Sequence, residues 1–282
     1  MILITGASGN VGREVLKQVA QTGVKVRAAY QSAGKAAEAP AGVETAIVDY
    51  NQPETLRAAL KGVERVFLVG PPTAQVTALE RSAMDVIKQS SVRHVIKLSA
   101  MGGRDAIFPG LHAESEDYIR STGVPYTFLR PNGFMQNMII YNAGTIKAQN
   151  AFYGSEGEGR VSQIDIRDVA AVAVKALTEE GHTGKAYTLT GPEALAGSET
   201  AKILSEAIGR EIRFINLPPE QLRQALLATG MSEWSADALL DLQRYYREGK
   251  AATVTNDVEQ VVGRKPVRFA QFVHEYKSAF IP

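Results

Sequence analysis

Three glycines near the amino terminus, Gly6, Gly9 and Gly12, are spaced three residues apart. They follow a short apolar run, 2–4, and precede a stretch in which valines recur every fourth residue, as in an amphipathic helix. A glycine-rich turn between a strand and a helix suits a pyrophosphate, because the backbone can approach it and the helix start offers free N–H groups. The pattern predicts a dinucleotide site built on Gly6, Ser8, Gly9, Asn10, Val11 and Gly12.

The residues after the second predicted strand bear on which dinucleotide binds. An acid there usually holds the ribose 2′-hydroxyl of NAD, but here no acid occurs until Glu38. We therefore expect NADP(H) to be favoured over NAD(H). Arg27 or Lys35 could pair with the 2′-phosphate, and Gln31 or Ser32 could donate hydrogen bonds to it. Alternatively, Arg27 and Lys35 are solvated surface charges.

Two further strand ends carry candidate cofactor contacts. Asp49 ends the third predicted strand and could accept a hydrogen bond from an adenine amino group. Gly70 and Pro71 end the fourth, where a dinucleotide would pass close to the backbone. Both segments also have the composition of ordinary turns.

The composition of the 282-residue chain excludes several classes of function. A net charge of +1 without a basic cluster gives no footprint for nucleic acid or an anionic membrane surface. The absence of cysteine excludes disulfides and thiolate chemistry, and the four histidines lack metal-ligand spacing. No apolar run approaches the roughly 18 residues of a membrane span, and the first strand starts at residue 2. We expect a cytoplasmic protein that acts on a small molecule.

Apolar runs and helical patterns alternate along the first half of the chain. This alternation predicts a doubly wound, parallel Rossmann-type α/β sheet. From residue 198 onward the pattern is mostly helical. We predict a dinucleotide-binding core over 1–153, rejoined by 160–190, and a smaller helix-rich substrate or lid region over 154–282. The strands are predicted at 2–4, 24–30, 43–48, 65–70, 92–99, 125–129, 160–166 and 187–190.

Several stretches together resemble the NmrA-like branch of atypical short-chain dehydrogenase/reductases. The branch contains NADPH:quinone and dye reductases as well as redox-sensing regulators. Many members carry an arginine at the position of Gln31, so this departure weakens the argument for NADP(H). The matching stretches are 5–12, 124–137, 164–170, 187–192 and 257–272.

The resemblance also directs attention to Ser99, His112 and Glu116. In short-chain reductases a serine at the position of Ser99 binds the substrate carbonyl, and a Tyr-x-x-x-Lys pair follows on the next helix. Here His112 and Glu116 stand at that spacing, as they do in quinone-reductase members. His112 titrates near neutrality and could donate a proton, whereas Glu116 could hold ribose hydroxyls. The alternative is that His112 is a surface residue at an exposed helix start.

The resemblance further implies residues around the nicotinamide and the acceptor. Pro131 to Phe134 would border the nicotinamide, and Phe134, Asn137 and Tyr141 would line the substrate side.

The leading hypothesis is an NAD(P)H-dependent reductase of quinone-like or dye-like acceptors. Hydride delivered to a quinone leaves a delocalised, weak base that solvent can protonate. A site without the Tyr-Lys pair can therefore manage this reaction, and its work is to hold the reactants face to face. The alternative is a non-catalytic NAD(P)-binding regulator that acts through a protein partner.

Overall fold

A computed structural model describes residues 1–281. The chain divides into two compact units. The first unit comprises Met1–Ala100, Leu111–Arg130 and Ile166–Thr188, and the second comprises Met101–Gly110, Pro131–Asp165 and the chain from Leu189 onward. The functional division at residue 153 stays a prediction.

Seven of the nine strands among residues 1–281 form one sheet, in the order β3-β2-β1-β4-β5-β6-β8. The pairings from β3 through β6 are all parallel. This Rossmann-type topology confirms the predicted fold class. The strands are β1 Ile2–Ile4, β2 Val26–Tyr30, β3 Glu44–Ile47, β4 Arg65–Leu68, β5 His94–Leu98, β6 Tyr126–Pro131, β7 Ala151–Gly154, β8 Lys185–Leu189 and β9 Arg213–Asn216.

In the part of the chain that the structure describes, twelve α-helices connect the strands and build most of the second unit. They are α1 Asn10–Ala20, α2 Ala33–Ala36, α3 Pro53–Ala59, α4 Val76–Ile87, α5 Ile107–Ser121, α6 Ala143–Gln149, α7 Ile166–Thr178, α8 Gly197–Ile208, α9 Pro219–Ala228, α10 Glu233–Arg247, α11 Asp257–Val262 and α12 Phe269–Glu275.

The first unit has the buried sheet and helix faces that the apolar periodicity predicts. Val11, Val15 and Val19 of α1 are buried, and α1 packs against α7. Strands β4 and β5 are apolar on both faces, as expected for central parallel strands. A polar exception in β5 is Lys97, which is fully buried.

The second unit has its own core, built around Phe269, Phe272 and Phe280. It also contains a two-stranded sheet of β7 and β9, which the sequence pattern did not predict. The predicted strand over 160–166 is wrong. Within that range only isolated bridges form, at Val161 and Ile164, and α7 begins at Ile166.

Two findings concern the described residues as a whole. No helix among residues 1–281 has both the length and the apolar character needed to cross a membrane. Within the same residues no group of three His, Asp or Glu side chains is arranged to hold a metal ion.

Candidate active site

The glycine turn after β1 has the backbone geometry that the sequence predicts. Gly6 has φ of +61°, a conformation that favours glycine, and its carbonyl accepts a hydrogen bond from the Gly9 N–H at 2.9 Å. A Cβ on Gly9 would lie 3.3 Å from that carbonyl oxygen, and a Cβ on Gly12 would overlap it. All three glycines therefore serve a turn that leads straight into α1, which begins at Asn10 and buries Val11 and Gly12.

A cleft of about 350 Å³ opens beside this turn, entirely within the first unit. It lies at the carboxyl ends of the strands, where dinucleotides bind in open α/β sheets. Its walls include the predicted residues Gly6, Ser8, Gly9, Gln31, Asp49, Gly70 and Pro71, together with Lys35. Sequence reasoning missed other lining residues, among them Thr5, Tyr30, Tyr50, Asn51 and Leu79.

Asp49 lines the cleft and also builds a turn. Its Oδ1 accepts hydrogen bonds from the Asn51 backbone N–H at 2.9 Å and from the Asn51 side chain at 3.2 Å. Gln52 donates to the other carboxylate oxygen at 3.3 Å. Asp49 is therefore a turn residue that also lines the cleft, and its hydrogen bond with an adenine amino group stays a prediction.

Arg27 does not belong to the cleft. It lies near the amino end of β2, whereas the cleft lies at the carboxyl end. Its guanidinium pairs with Glu44 at 2.6 Å and donates to the carbonyls of Ala59 and Lys61. The expectation that Arg27 binds a 2′-phosphate is corrected: Arg27 ties β2 to its neighbours.

Arg13 is a cation at the cleft that the sequence analysis missed. It is exposed on the first turn of α1 and donates to the carbonyl of Ser8 at 3.3 Å. Burial raises the pKa of the Tyr30 phenol, and the nearby charge of Arg13 acts against this rise. Ser8 and Tyr30 both line the cleft, so Arg13 lies next to its wall, and Lys35 is a cation within that wall.

Ser99 and Glu116 lie together beneath the end of β5. The Ser99 hydroxyl donates to Glu116 Oε1 at 2.6 Å, and both residues are buried. Arg130 contacts both carboxylate oxygens, at 2.9 and 2.5 Å, and Arg120 donates at 3.1 Å. Burial opposes ionisation of Glu116, but the bonds from Arg130 and Ser99 outweigh it and lower the pKa of the carboxyl. Glu116 is therefore an ionised carboxylate with four hydrogen bonds.

His112 is not at an exposed helix start, and that alternative is wrong. Helix α5 begins at Ile107, so His112 lies in its second turn, with only 5% of its surface exposed. Its Nδ1 lies 2.9 Å from the ammonium nitrogen of the buried Lys97. Burial, reinforced by the charge of Lys97, holds the pKa of His112 well below its usual value. His112 is therefore neutral at physiological pH, which argues against a role as a titrating acid.

The predicted nicotinamide and acceptor residues lie in the second unit. Pro131 ends β6, and its carbonyl accepts from the Met101 N–H at 2.9 Å. Phe134 forms an isolated parallel β-bridge with Ile164, and the Phe134 carbonyl accepts a hydrogen bond from the Asn137 N–H at 3.1 Å. Tyr141 lies in a π-helix, Met138–Asn142, and is 64% exposed. Such helices are frequent at functional sites, and the roles of these residues stay predictions.

Comparison with known proteins identifies the class. Residues 6–180 match a family described as NAD(P)H-binding. The chain belongs to this family, and within it to the NmrA-like atypical reductases, as the sequence resemblance predicted.

Two curated relatives and a solved structure resemble the whole chain. The NAD(P)H azoreductase of Xenophilus azovorans is 38% identical and covers 99% of both chains. A (4-alkanoyl-5-oxo-2,5-dihydrofuran-3-yl)methyl phosphate reductase of Streptomyces griseus is 36% identical over the full length of both. The Escherichia coli NADPH-dependent quinone oxidoreductase, solved with NADPH, superposes with a TM-score of 0.89 at 26% identity, covering 98% of this chain and 99% of the other.

The residues of the cleft fit the cofactor class that the family defines. Side-chain-free backbone at Gly6 and Gly9 leaves room for a pyrophosphate beside the start of α1. Tyr30, Asp49 and Tyr50 line the cleft together with Gly70 and Pro71, and the contacts of Asp49, Gly70 and Pro71 with the dinucleotide stay predictions.

Proposed function

We propose that the protein is an NAD(P)H-dependent reductase of quinone-like or azo-dye-like acceptors. The observation that carries this proposal is the state of His112 and Glu116. They stand where short-chain reductases place their Tyr-Lys pair, yet His112 is held neutral by its burial and by Lys97, and Glu116 is held ionised by Arg130 and Ser99. Neither side chain is poised to deliver a proton to a strongly basic alkoxide.

The acceptor class follows from this chemistry. NAD(P)H, when bound, supplies a hydride. An acceptor that spreads the resulting negative charge over a conjugated system can take its proton from solvent, whereas an isolated ketone requires a positioned acid. The names of the relatives are consistent with this proposal, since a quinone and an azo compound are both conjugated acceptors.

The protein's own residues bind and orient the reactants. The turn over Gly6–Gly12 would hold the pyrophosphate, and Arg13 with Lys35 would favour a 2′-phosphate and hence NADPH. Phe134, Asn137 and Tyr141 are proposed to contact the acceptor. Catalysis then depends on holding the nicotinamide and the acceptor face to face.

Steady-state oxidation of NADPH against a panel of acceptors tests the proposal. The panel contains benzoquinones, naphthoquinones, azo dyes, an unsaturated lactone and saturated ketones. We expect turnover with quinones or azo dyes and at least a hundredfold lower kcat/KM with saturated ketones. Tight NADPH binding without turnover on any acceptor would instead favour the regulatory alternative.

A further inference from the structure

A buried ion pair lies directly behind the wall of the cofactor cleft. Lys97 of β5 is fully buried, and its ammonium donates to both carboxylate oxygens of Glu80 on α4, at 2.8 and 2.6 Å. Glu80 is 1% exposed. A Cβ on Gly70, which lines the cleft, would lie 2.8 Å from Glu80 Oε1. The pair is thus separated from the cleft by the backbone of Gly70.

The N–H donors of the Lys97 ammonium determine which ring nitrogen of His112 carries the proton. An ammonium has three N–H donors and no lone pair. The partners of Lys97 are the two oxygens of Glu80, His112 Nδ1 at 2.9 Å and, at a longer 3.2 Å, the carbonyl of Leu98. In its contact with Lys97, Nδ1 therefore has to be the acceptor, and the ring proton has to lie on Nε2.

Protonation of His112 would disrupt this arrangement. An imidazolium would place an N–H against the ammonium of Lys97 and bring two positive charges together in a buried site. The carboxylates of Glu80 and Glu116 do not compensate. Glu80 is already bonded to Lys97, and Glu116, one turn along α5, is bonded to Arg130, Arg120 and Ser99.

We propose that Lys97 and Glu80 are positioning residues that hold His112 as the neutral, Nε2-protonated tautomer. Any contact of His112 with the acceptor is then a hydrogen bond donated from Nε2 and not a proton transfer. The second statement rests on the proposed function, whereas the tautomer does not.

Nitrogen-15 NMR of the protein labelled at histidine tests the tautomer without any activity measurement. His94, His182 and His274 serve as internal references, and His112→Asn assigns the signals. We expect the proton of His112 on Nε2 from pH 6 to 8. A proton on Nδ1, or half-protonation of His112 above pH 6, would overturn the proposal.

The double variant Lys97→Met/Glu80→Gln tests the role of the pair and removes both buried charges together. We expect His112 to lose its fixed tautomer and its half-protonation to shift upward by at least one pH unit. The control Arg223→Met/Asp237→Asn removes a partly exposed pair and should leave His112 unchanged. An unchanged His112 in the folded Lys97→Met/Glu80→Gln variant would overturn the role of Lys97. If that variant does not fold, the wild-type spectrum alone decides whether His112 carries its proton on Nε2.

The pH dependence of the rate of quinone reduction separates this inference from the proposed function. With a quinone that does not titrate, the wild-type rate should be independent of pH near neutrality, and the double variant should acquire the titration of His112. A wild-type rate that follows a histidine titration would overturn the donor role. Absence of turnover on every acceptor would refute the proposed function, while the NMR result would still decide the tautomer.

Discussion

The glycine turn and the charged cluster of Glu80, Lys97 and His112 lie on two sides of the same cleft wall and work in opposite ways. The glycines of the turn have no side chains, so its backbone N–H groups can face an anion. The cluster is closed to solvent, and its polar atoms are matched with one another. We therefore propose that the turn binds an anion through accessible backbone, whereas the cluster fixes a proton through buried charges.

The two regions also differ in how they tolerate change. An added side chain at Gly9 should damage binding and spare the fold. Removal of one charge from the cluster should damage the fold first, because the partner charge would remain buried without compensation. Four variants or conditions test this contrast.

The largest effect is expected for Lys97→Met. It leaves the Glu80 carboxylate buried without its partner, and unfolding free energy should fall by about 3–5 kcal/mol. Urea unfolding measures this loss. The double variant Lys97→Met/Glu80→Gln should lose markedly less. Equal losses in the single and double variants would contradict the description of Lys97 and Glu80 as a mutually compensating pair.

The next effect concerns the turn. Gly9→Val places a branched side chain where the pyrophosphate would lie, and NADPH affinity should fall at least tenfold, or about 1.4 kcal/mol. Titration calorimetry measures the affinity, and Gly144→Ala, at a glycine with open space around it, is the control. Unchanged affinity in Gly9→Val would remove the dinucleotide from this turn.

Acid should destabilise the fold, because His112 is buried in its neutral form. Folding lowers the pKa of His112. The free energy of unfolding therefore keeps its full value above the ordinary pKa near 6.5 and decreases as the pH falls below it. The unfolded chain then binds a proton that the folded chain excludes. Between pH 6 and 5, wild type should lose about 1 kcal/mol more per pH unit than His112→Asn, whose amide oxygen can still accept from Lys97. Parallel pH dependence of the two unfolding curves would contradict the buried neutral state.

The smallest of the four effects is on cofactor preference. Arg13→Ala and Lys35→Ala should each weaken NADPH binding a few-fold and leave NADH binding unchanged, and added salt should shrink the difference because these cations are exposed. Lys17→Ala, on the same helix but paired with Glu14, is the control. Equal losses for NADPH and NADH would show that Arg13 and Lys35 do not contact a 2′-phosphate.

The sequence predicted the cleft better than the cluster for a physical reason. The turn is local: Gly6, Gly9 and Gly12 carry its geometry within seven residues, so spacing alone reveals it. The cluster joins Glu80 of α4, Lys97 of β5 and His112 of α5, and no short pattern links three elements. A signal was nevertheless present, since Lys97 interrupts an apolar strand and Glu80 lies on the buried face of its helix.

Other misses follow the same rule. Arg27 was expected in the cleft because it is close in sequence to the end of β2, but its long side chain lies at the opposite end of the strand. The β7–β9 pair joins parallel four-residue strands about sixty positions apart, which no hairpin turn can link. The mostly helical pattern from residue 198 onward was predicted correctly, as α8 to α12 show, because helical periodicity is a local signal.

The central claim is that this reductase works without a titrating proton donor. Single-turnover quinone reduction, with NADPH prebound and an acceptor that does not ionise, measures the hydride step directly across pH 6 to 8.5. We predict a rate that changes less than about threefold over this range, since no group near the reacting atoms would titrate there. A rate that falls at least tenfold with rising pH along a single titration near neutrality, and that loses this dependence in His112→Asn, would contradict the account.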